Sequence, residues 1–427
     1  MDCLSGGGIG CSDGSSGGSS DGESGSANNS FLFYSQKWNY ADDTFGKPLP
    51  AKLELKRSIA AGDTLGAPFA ENAVAFCTAG VWGEDDTVIY YVDGSNYALW
   101  SYSADGTKTL VKEAVANATG AFVSYDSEGK CLFALYGFSD TNHQKVFLKD
   151  TASGKSFTIL IDADIQPIAN ITALAGSKKD SSIFITFNKG YEMEMYAYKF
   201  SRDFSAMFEK GSEVSSVKES ECSSFHLGGE TLFNTEPLKK DPIQYKITDM
   251  TVLGGKLYAL FASCFESKMS SNAGNYSSGG GVLRINYSDN LSVDTTFGTD
   301  GVVGYSSKLK EKTSTSCVGW IIYDGENNNP SYWSKKDINS NLEFNNPQKI
   351  VAIKPDELVI AENGIARASD DMHSFYNLAR AVTIDLNGKI KSVTAVHGKS
   401  FSYGGYKSTY NDFEGLAVAS GYNISFE

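Results

Sequence analysis

The sequence predicts an all-β protein: a β-propeller of about six to seven four-stranded blades. Short apolar runs alternate with turns rich in Gly, Asp and Asn, and groups of runs recur about every fifty residues. The composition agrees, with 43 Gly, 25 Phe, 23 Tyr and only 9 Pro in 427 residues. Closed all-β bodies commonly keep such a length in one domain. We therefore predict a propeller over residues 31–427; two separate β-sandwiches are the alternative.

The first three predicted blades follow one another directly along the chain. Four strands make the first blade, at 72–80, 87–92, 97–103 and 107–112, with turns at Asp93-Gly94 and Asp105-Gly106. The second blade takes strands at 121–125, 131–136, 145–150 and 156–161. The third takes strands at 171–175, 183–188, 192–200 and 204–209. The turn residues adopt the backbone conformations that reverse a chain, so each group predicts an antiparallel meander.

A fourth unit covers residues 247–305, after a Ser-, Glu- and Lys-rich insertion at 210–243. Its strands at 250–253, 256–261 and 282–287 end at turns such as Gly254-Gly255. Residues 253–258, 283–286 and 293–303, the last reading Val-Asp-Thr-Thr-Phe-Gly-Thr-Asp-Gly-Val-Val, together resemble one unit of the delta-60 repeats of bacterial secreted and surface proteins. The resemblance implies an exported, propeller-like bacterial protein and brings no catalytic residues.

The last predicted blade draws on both ends of the chain. A fifth unit has strands at 349–353, 357–362, 381–385 and 389–396, after a second insertion at 306–346 that has room for a degenerate blade. The chain then offers only two more strands, at 413–420 and 422–426. Two strands do not make a stable blade. We therefore predict that strands at 31–38 and 52–57 complete it, which also removes free sheet edges.

Residues 1–30 are predicted to form a flexible tether, because Gly, Ser, Asp and Glu dominate them and little apolar surface is available to bury. A Cys beside the start of such a stretch resembles the mature start of a bacterial lipoprotein. The resemblance implies Cys3 as the lipid acceptor, an extracytoplasmic location in the periplasm or at the cell surface, and membrane attachment only through that lipid. Cys11 is the second candidate, and an unmodified cysteine in the tail is the alternative. We expect no signal peptide within this sequence.

The charge and the scattered reactive residues exclude several classes of function. The net charge of −14 repels phosphate backbones, so no nucleic acid partner is expected. The cysteines form no C-x-x-C pair, which argues against zinc and thioredoxin-like chemistry. Buried thiols are expected at Cys77 and Cys131, and a disulfide among Cys222, Cys264 and Cys317 is an open possibility. The four histidines, His143, His226, His373 and His397, share no metal-ligand spacing. We assign no catalytic residue.

One metal hypothesis remains. Residues 412–417 read Asp-Phe-Glu-Gly-Leu-Ala and resemble the start of an innermost strand in phytase-like calcium-binding propellers. The resemblance implies Ca²⁺ as the possible cofactor, with Glu414 and Asp412 as oxygen ligands; an ordinary turn before a strand is the alternative. The leading interpretation is a non-enzymatic module for a protein or glycan partner at the cell envelope. The alternative is a calcium-dependent hydrolase with its site over the central channel.

Overall fold

The protein is all-β in the part of the chain that the structure, a computed structural model, describes. Its one helix is short, and no helix among these residues is long and apolar enough to cross a membrane. The described residues are 31–39, 47–56, 67–79, 88–103, 105–125, 131–138, 143–161, 171–189, 194–201, 203–211, 214–217, 223–227, 244–266, 275–288, 291–304, 344, 347–354, 356–367, 374–395, 400–402 and 414–418.

The first sheet has seven strands and contains both ends of the described chain. Its strands are β1 (Phe31–Asn39), β2 (Lys47–Lys56), β3 (Ala70–Ala79), β4 (Val88–Asp93), β5 (Ala98–Ser103), β6 (Lys108–Lys112) and β26 (Glu414–Val418), in the order β26-β1-β2-β3-β4-β5-β6. β26 lies antiparallel to β1, with Phe33 opposite Val418 and Lys37 opposite Glu414. The predicted pairing of the two chain ends is therefore confirmed, but β2 pairs with β3, so these strands extend the predicted first blade and do not form a separate last blade.

The second and third sheets are the size of propeller blades. The second contains β7 (Gly120–Tyr125), β8 (Cys131–Tyr136), β9 (Gln144–Asp150), β10 (Ser156–Ile161) and β14 (Val214–Val217). The third contains β11 (Ile171–Ser177), β12 (Ser182–Lys189), β13 (Glu194–Ser201) and β15 (Ser223–Leu227). The strand β14 runs parallel to β10, and every other pairing in these two sheets is antiparallel.

The fourth and fifth sheets repeat this antiparallel plan. The fourth contains β16 (Gln244–Leu253), β17 (Lys256–Glu266), β18 (Asn275–Asn286), β19 (Ser292–Val293) and β20 (Val302–Val303). The fifth contains β21 (Pro347–Lys354), β22 (Glu357–Arg367), β23 (Ser374–Asp385), β24 (Ile390–Ala395) and β25 (Ser400–Ser402). Gly254 and Gly255 form the tight turn between β16 and β17, as predicted; both have positive φ, which glycine adopts without strain.

Neighbouring sheets pack face to face, and the fifth sheet returns to the first. One apolar cluster joins the first, second, fourth and fifth sheets, with Phe133, Tyr258 and Ile360 among its buried members. A second apolar cluster joins the second sheet to the third, and another joins the third sheet to the fourth. A fourth cluster sets Ala361 of β22 against the first sheet, and β26 lies beside β22 and β23. The arrangement is β-propeller-like, with the first strands β3, β7, β11, β16 and β21 side by side.

Three sequence predictions need correction. Six to seven blades are not supported, since four blade-sized sheets and one seven-stranded sheet account for the described strands. The predicted strand at 204–209 is instead the helix α1 (Phe204–Lys210), which Asp203 caps and Gly211 ends in a left-handed conformation. The residues Phe204, Met207 and Phe208 have helical spacing and bury one face. The insertion at 210–243 also contributes the strands β14 and β15.

Candidate functional site

The string that resembles a delta-60 repeat forms a buried ionic network in the fourth sheet. The Nε of Arg284 donates to Oδ2 of Asp294 at 3.0 Å, and Nη2 donates to the Thr296 hydroxyl at 2.8 Å. Nη1 donates to the carbonyl of Leu386 in the fifth sheet. The Nζ of Lys256 lies 3.0 Å from the same Asp294 oxygen. This network joins two strands of one sheet to a turn of the next, so its role is structural.

The electrostatics of Asp294 fit that role. Burial alone would raise the pKa of this carboxyl, but hydrogen bonds from Thr296, Lys256 and Arg284 outweigh burial and hold the pKa well below its usual value of 3.8. The Arg284 guanidinium also lies 5.0 Å from the ring centre of Phe297, itself fully buried. A carboxylate held ionised by several donors stabilises a turn and is a poor proton donor or acceptor near neutral pH.

The glycine inside this string gives a testable prediction. Gly298 has φ +57°, and a Cβ there would lie 2.3 Å from the backbone oxygen of Val302. We expect Gly298→Ala to lower the free energy of unfolding by about 2 kcal/mol, since left-handed strain and a backbone clash add together. Gly154→Ala is the control, because Gly154 has φ +71° with open space around it and should lose about 1 kcal/mol. Equal losses in urea unfolding would contradict the assigned clash.

A second buried carboxylate lies where the first strands of several sheets meet. Asp249 on β16 is 2% exposed, and its Oδ2 accepts from the Ile350 N–H of β21 at 3.0 Å. The Lys349 ammonium is 3.6 Å from that oxygen and donates to the Ala121 carbonyl of β7 at 3.2 Å. Because β7 and β21 are edge strands of their sheets, these bonds satisfy backbone groups that the sheets leave open.

The buried cluster of Asp249, Lys349 and Tyr136 contains two groups whose pKa is raised by burial. Burial raises the pKa of Asp249, and the Lys349 ammonium with the Ile350 N–H offsets only part of that effect. Burial likewise raises the pKa of the Tyr136 hydroxyl, with smaller contributions from Asp249 and Cys77. Oδ1 of Asp249 has no hydrogen-bond partner within the described residues. The cluster ties three sheets together, and a single carboxylate beside an ammonium is a poor metal site.

The sequence-predicted site residues are not brought together by the described structure. Glu414 begins β26, and its backbone pairs with Lys37, but its side chain lies outside the described part. Cys3, Cys11 and Asp412 lie outside the described residues altogether. Cys77 is buried and forms no disulfide, as predicted. Cys131 and Cys264 lie in β8 and β17, whereas Cys222 and Cys317 are outside the described residues, as are His373 and His397.

The calcium hypothesis stays a prediction. The residues that the structure describes contain no group of three or more His, Cys, Asp or Glu able to hold a metal ion. If Glu414 is a ligand, isothermal titration of the full chain with Ca²⁺ should give saturable heat, and Glu414→Gln should weaken the affinity at least about tenfold, because a charged oxygen ligand is lost. No heat of binding in the wild type, or an unchanged affinity in the variant, would remove the hypothesis.

An aromatic surface on the outer strands of the first sheet is the best candidate for ligand contact. We define the aromatic face as Phe69, Tyr91, Trp100, Tyr102 and Lys108. Phe69 and Tyr102 stack with ring centres 4.2 Å apart, and Phe69 meets Tyr91 edge-on at 5.9 Å. The Lys108 ammonium lies 4.4 Å from the Trp100 ring centre and 5.2 Å from that of Tyr91.

Strand geometry places these side chains together. Tyr91 is opposite Trp100 and Trp100 is opposite Leu110, so all three point to the same side of the sheet. Trp100 and Tyr102 are half-buried, whereas Lys108 is exposed and Leu110 is 42% exposed. The opposite side of these strands is buried against the second sheet. Most of the aromatic face packs on the fourth apolar cluster, in which Tyr91 is fully buried, so the face is open only at Lys108 and Leu110 on β6, the outer edge of the first sheet.

Two polar atoms of the aromatic face are unsatisfied. The Trp100 Nε1 is buried and makes no hydrogen bond to any described residue, and the buried Tyr91 hydroxyl has the Lys108 ammonium as a polar neighbour but no acceptor among these residues. Burial raises the pKa of Tyr91, although the nearby Lys108 ammonium opposes that change. Buried donors without partners are rare in folded proteins because leaving one unmet costs about 1–3 kcal/mol. At Trp100 and Tyr91 these unsatisfied atoms lie close to the exposed side chains of β6, where a bound molecule is one way to complete them.

Sequence reasoning assigned these strands to the first blade but missed the aromatic face. The available signal was the alternation Trp100-Ser101-Tyr102-Ser103, which places two aromatic rings on one side of β5. A solvated outer face would carry polar residues at those positions. Phe69 and Lys108 lie on other segments, so only the structure shows that they meet Trp100 and Tyr102.

Comparison with known proteins gives similarity to solved structures alone, and none establishes a family. No protein-family model and no curated protein matches the sequence. A polysaccharide lyase of the ulvan lyase PL25 family is 9% identical with a TM-score of 0.36, over 86% of this chain and 81% of that chain. A glycosyl hydrolase from Bacteroides ovatus is 9% identical with a TM-score of 0.31, over 78% and 88%.

A prolyl endopeptidase is also similar, at 9% identity and a TM-score of 0.31 over 75% of this chain. The protein spans 42% of the length of that endopeptidase. Because the identities and TM-scores are this low, the similar structures indicate no function, and function is inferred from the protein's own residues.

Proposed function

We propose that the protein is a non-enzymatic binding or scaffolding module at the bacterial cell envelope, with a protein or glycan as its partner. In this proposal a lipid on Cys3 anchors the chain, residues 1–30 act as the tether, and the propeller-like domain lies outside the cytoplasm. The tether composition and the delta-60-like string support the export of the chain. The proposal excludes nucleic acid as a partner because the net charge is −14.

The aromatic face is the observation that carries this proposal. The buried ionic groups around Asp294 and Asp249 bind backbone groups and side chains of neighbouring sheets, so their role is to stabilise the fold. The aromatic face differs in position, because its unmet polar atoms at Trp100 and Tyr91 lie close to the exposed Leu110 and Lys108, whereas the unmet Oδ1 of Asp249 lies among buried inner strands. Tryptophan and tyrosine are the side chains most often responsible for binding energy at interfaces.

Co-sedimentation with purified bacterial envelopes tests the binding. We expect the full-length chain to bind saturably and Trp100→Ala to weaken binding at least about tenfold, as expected for loss of an aromatic anchor. Tyr97→Ala is the matched control, since Tyr97 is 48% exposed in a turn outside the aromatic face and should have no effect. Wild-type binding by a Trp100→Ala protein with an unchanged circular dichroism spectrum would overturn the role of the aromatic face.

The anchor is tested separately in a bacterial host that processes lipoproteins. A chain carrying the host's own lipoprotein signal should incorporate radiolabelled palmitate and fractionate with membranes. Cys3→Ser should lose both properties, whereas Cys11→Ser should keep them, because only one thiol carries the lipid. Palmitate incorporation that persists in Cys3→Ser would move the anchor to another residue.

A further inference from the structure

We propose that the aromatic face binds an acidic saccharide, a sugar chain that carries uronate carboxylates. This inference rests on the proposed function and names the chemical class of its ligand. It follows from three properties of the aromatic face: buried hydrogen-bond donors without an acceptor among the described residues, half-buried rings that are open at Leu110, and one cation placed directly over the rings.

The unmet groups define the polarity of the ligand. The indole Nε1 of Trp100 and the ammonium of Lys108 can only donate hydrogen bonds, and the Tyr91 hydroxyl is able to donate as well. Among the residues that the structure describes, Nε1 and the Tyr91 hydroxyl have no acceptor. A complementary ligand must therefore present acceptors, and carboxylate and hydroxyl oxygens of a sugar acid provide them in quantity.

The apolar part defines the shape of the ligand. Trp100, Leu110 and Tyr102 lie on adjacent strands with one common orientation, so they extend a surface across β5 and β6 about 5 Å wide, the spacing of neighbouring strands. The C–H groups on one side of a pyranose ring can pack on an aromatic plane while its hydroxyls remain available to donors. Flat, half-buried rings at a sheet edge suit such a ligand better than a compact ion.

The cation defines the charge of the ligand. The Lys108 ammonium covers the Trp100 ring at 4.4 Å and is held there by the ring's negative face. A uronate carboxylate offers that ammonium a stronger, charge-assisted partner, and its movement to the carboxylate would open the indole ring for stacking. The nearby Asp93 carboxylate accepts from the Ser95 N–H at 2.8 Å within its own turn. Lys108 is thus the local charge that can pair with one uronate carboxylate, in opposition to the net charge of −14 that repels long polyanions such as nucleic acid.

Isothermal titration of the full-length chain with tetragalacturonate and with neutral cellotetraose tests this inference. We expect the wild type to bind the acidic probe at least about tenfold more tightly, because one charge-assisted contact distinguishes the two ligands. Lys108→Glu should abolish the preference while leaving the fold intact, since Lys108 is exposed. Trp100→Ala should lose binding of both probes, and Tyr97→Ala should change neither.

The outcomes separate this inference from the proposed function. Equal binding of both probes, or tighter binding of cellotetraose, would overturn the acidic class while leaving a glycan-binding module. Envelope binding that depends on Trp100 but is not displaced by tetragalacturonate would reject the saccharide and keep the binding function. If Trp100→Ala affects neither the probes nor envelope binding, both proposals fail.

Discussion

Arg284→Ala is expected to lower the free energy of unfolding by about 3–5 kcal/mol, the largest effect of any single substitution considered, because it removes three hydrogen bonds from a buried ionic network. The guanidinium bonds Asp294, Thr296 and the Leu386 carbonyl, and its side chain is only 10% exposed. Its loss therefore loosens the fourth sheet and the contact between the fourth and fifth sheets. Urea unfolding followed by tryptophan fluorescence would measure the change.

An exposed ion pair supplies the control for this prediction. Lys155 and Glu209 are in contact at 2.5 Å, but their side chains are 45% and 73% exposed. We expect Lys155→Ala to change the free energy of unfolding by less than about 1 kcal/mol, because water screens such pairs. Losses of similar size in Lys155→Ala and Arg284→Ala would show that burial of the Arg284 network contributes nothing.

The pH dependence of Asp294→Asn tests the same network independently. The folded-state pKa of Asp294 lies below the usual value of 3.8, so its ionised form stabilises the fold above pH 3.8. That stabilisation is lost as the pH falls from 3.8 towards the folded-state pKa. The stability difference between wild type and Asp294→Asn should therefore be largest near neutral pH and should shrink below pH 3.8.

Asp249→Ala is expected to have the second largest effect, a loss of about 2–3 kcal/mol, because it leaves the Ile350 N–H without an acceptor and opens a cavity. Asp249→Asn should behave differently. An amide oxygen can still accept from that N–H, and the amide carries no charge that must be buried. We therefore expect the Asn variant to be at least as stable as the wild type at pH 7.

The pH dependence of the free energy of unfolding tests the pKa direction assigned to Asp249. Because the folded-state pKa is raised above 3.8, the favourable effect of the protonated carboxyl is complete below pH 3.8 and declines as the pH rises through the folded-state value. The stability of Asp249→Asn relative to wild type should therefore increase with pH over this range. A large loss in Asp249→Asn at pH 7 would show that the Lys349 ion pair outweighs burial and that the assigned pKa direction is wrong.

Much of the strand order was predictable because local turn chemistry and alternation are strong signals. The turns at Asp93-Gly94, Gly254-Gly255 and Asn387-Gly388 fall between strands as expected, and the pairing of β1 with β26 follows from the need to protect sheet edges. The count of blades was not predictable in this way. Whether β2 ends a sheet or continues into β3 depends on pairing between distant segments, which local patterns do not encode.

The α1 error has a different origin. Residues 204–209 were assigned as a strand to complete a fourth position in the third blade, although Phe204, Met207 and Phe208 have helical spacing. The strand β15, from the next segment, takes that position beside β13. The expectation of four strands in each blade therefore took precedence over the helical spacing of these apolar residues, which correctly indicates a helix.

The buried sites were only partly predictable. The delta-60-like string marked the Asp294 turn, but it does not show that Arg284 donates to the carbonyl of Leu386 in the neighbouring fifth sheet. Asp249 lies in a β16 run that otherwise reads as an ordinary strand, and its partners come from β21. Ion pairs between sheets depend on how the sheets pack, and one sequence contains no direct record of that packing.

The antiparallel pairing of β1 with β26 affects how the protein must be made. Phe33 cannot meet Val418 until the residues between them have left the ribosome, so the first sheet is completed after the strands of the other four sheets have been made. Such distant contacts slow folding, and β1 meanwhile presents an open edge to other nascent chains. Removal of residues 414–418 is therefore expected to leave β1 with an unpaired edge and to trap a late, aggregation-prone intermediate.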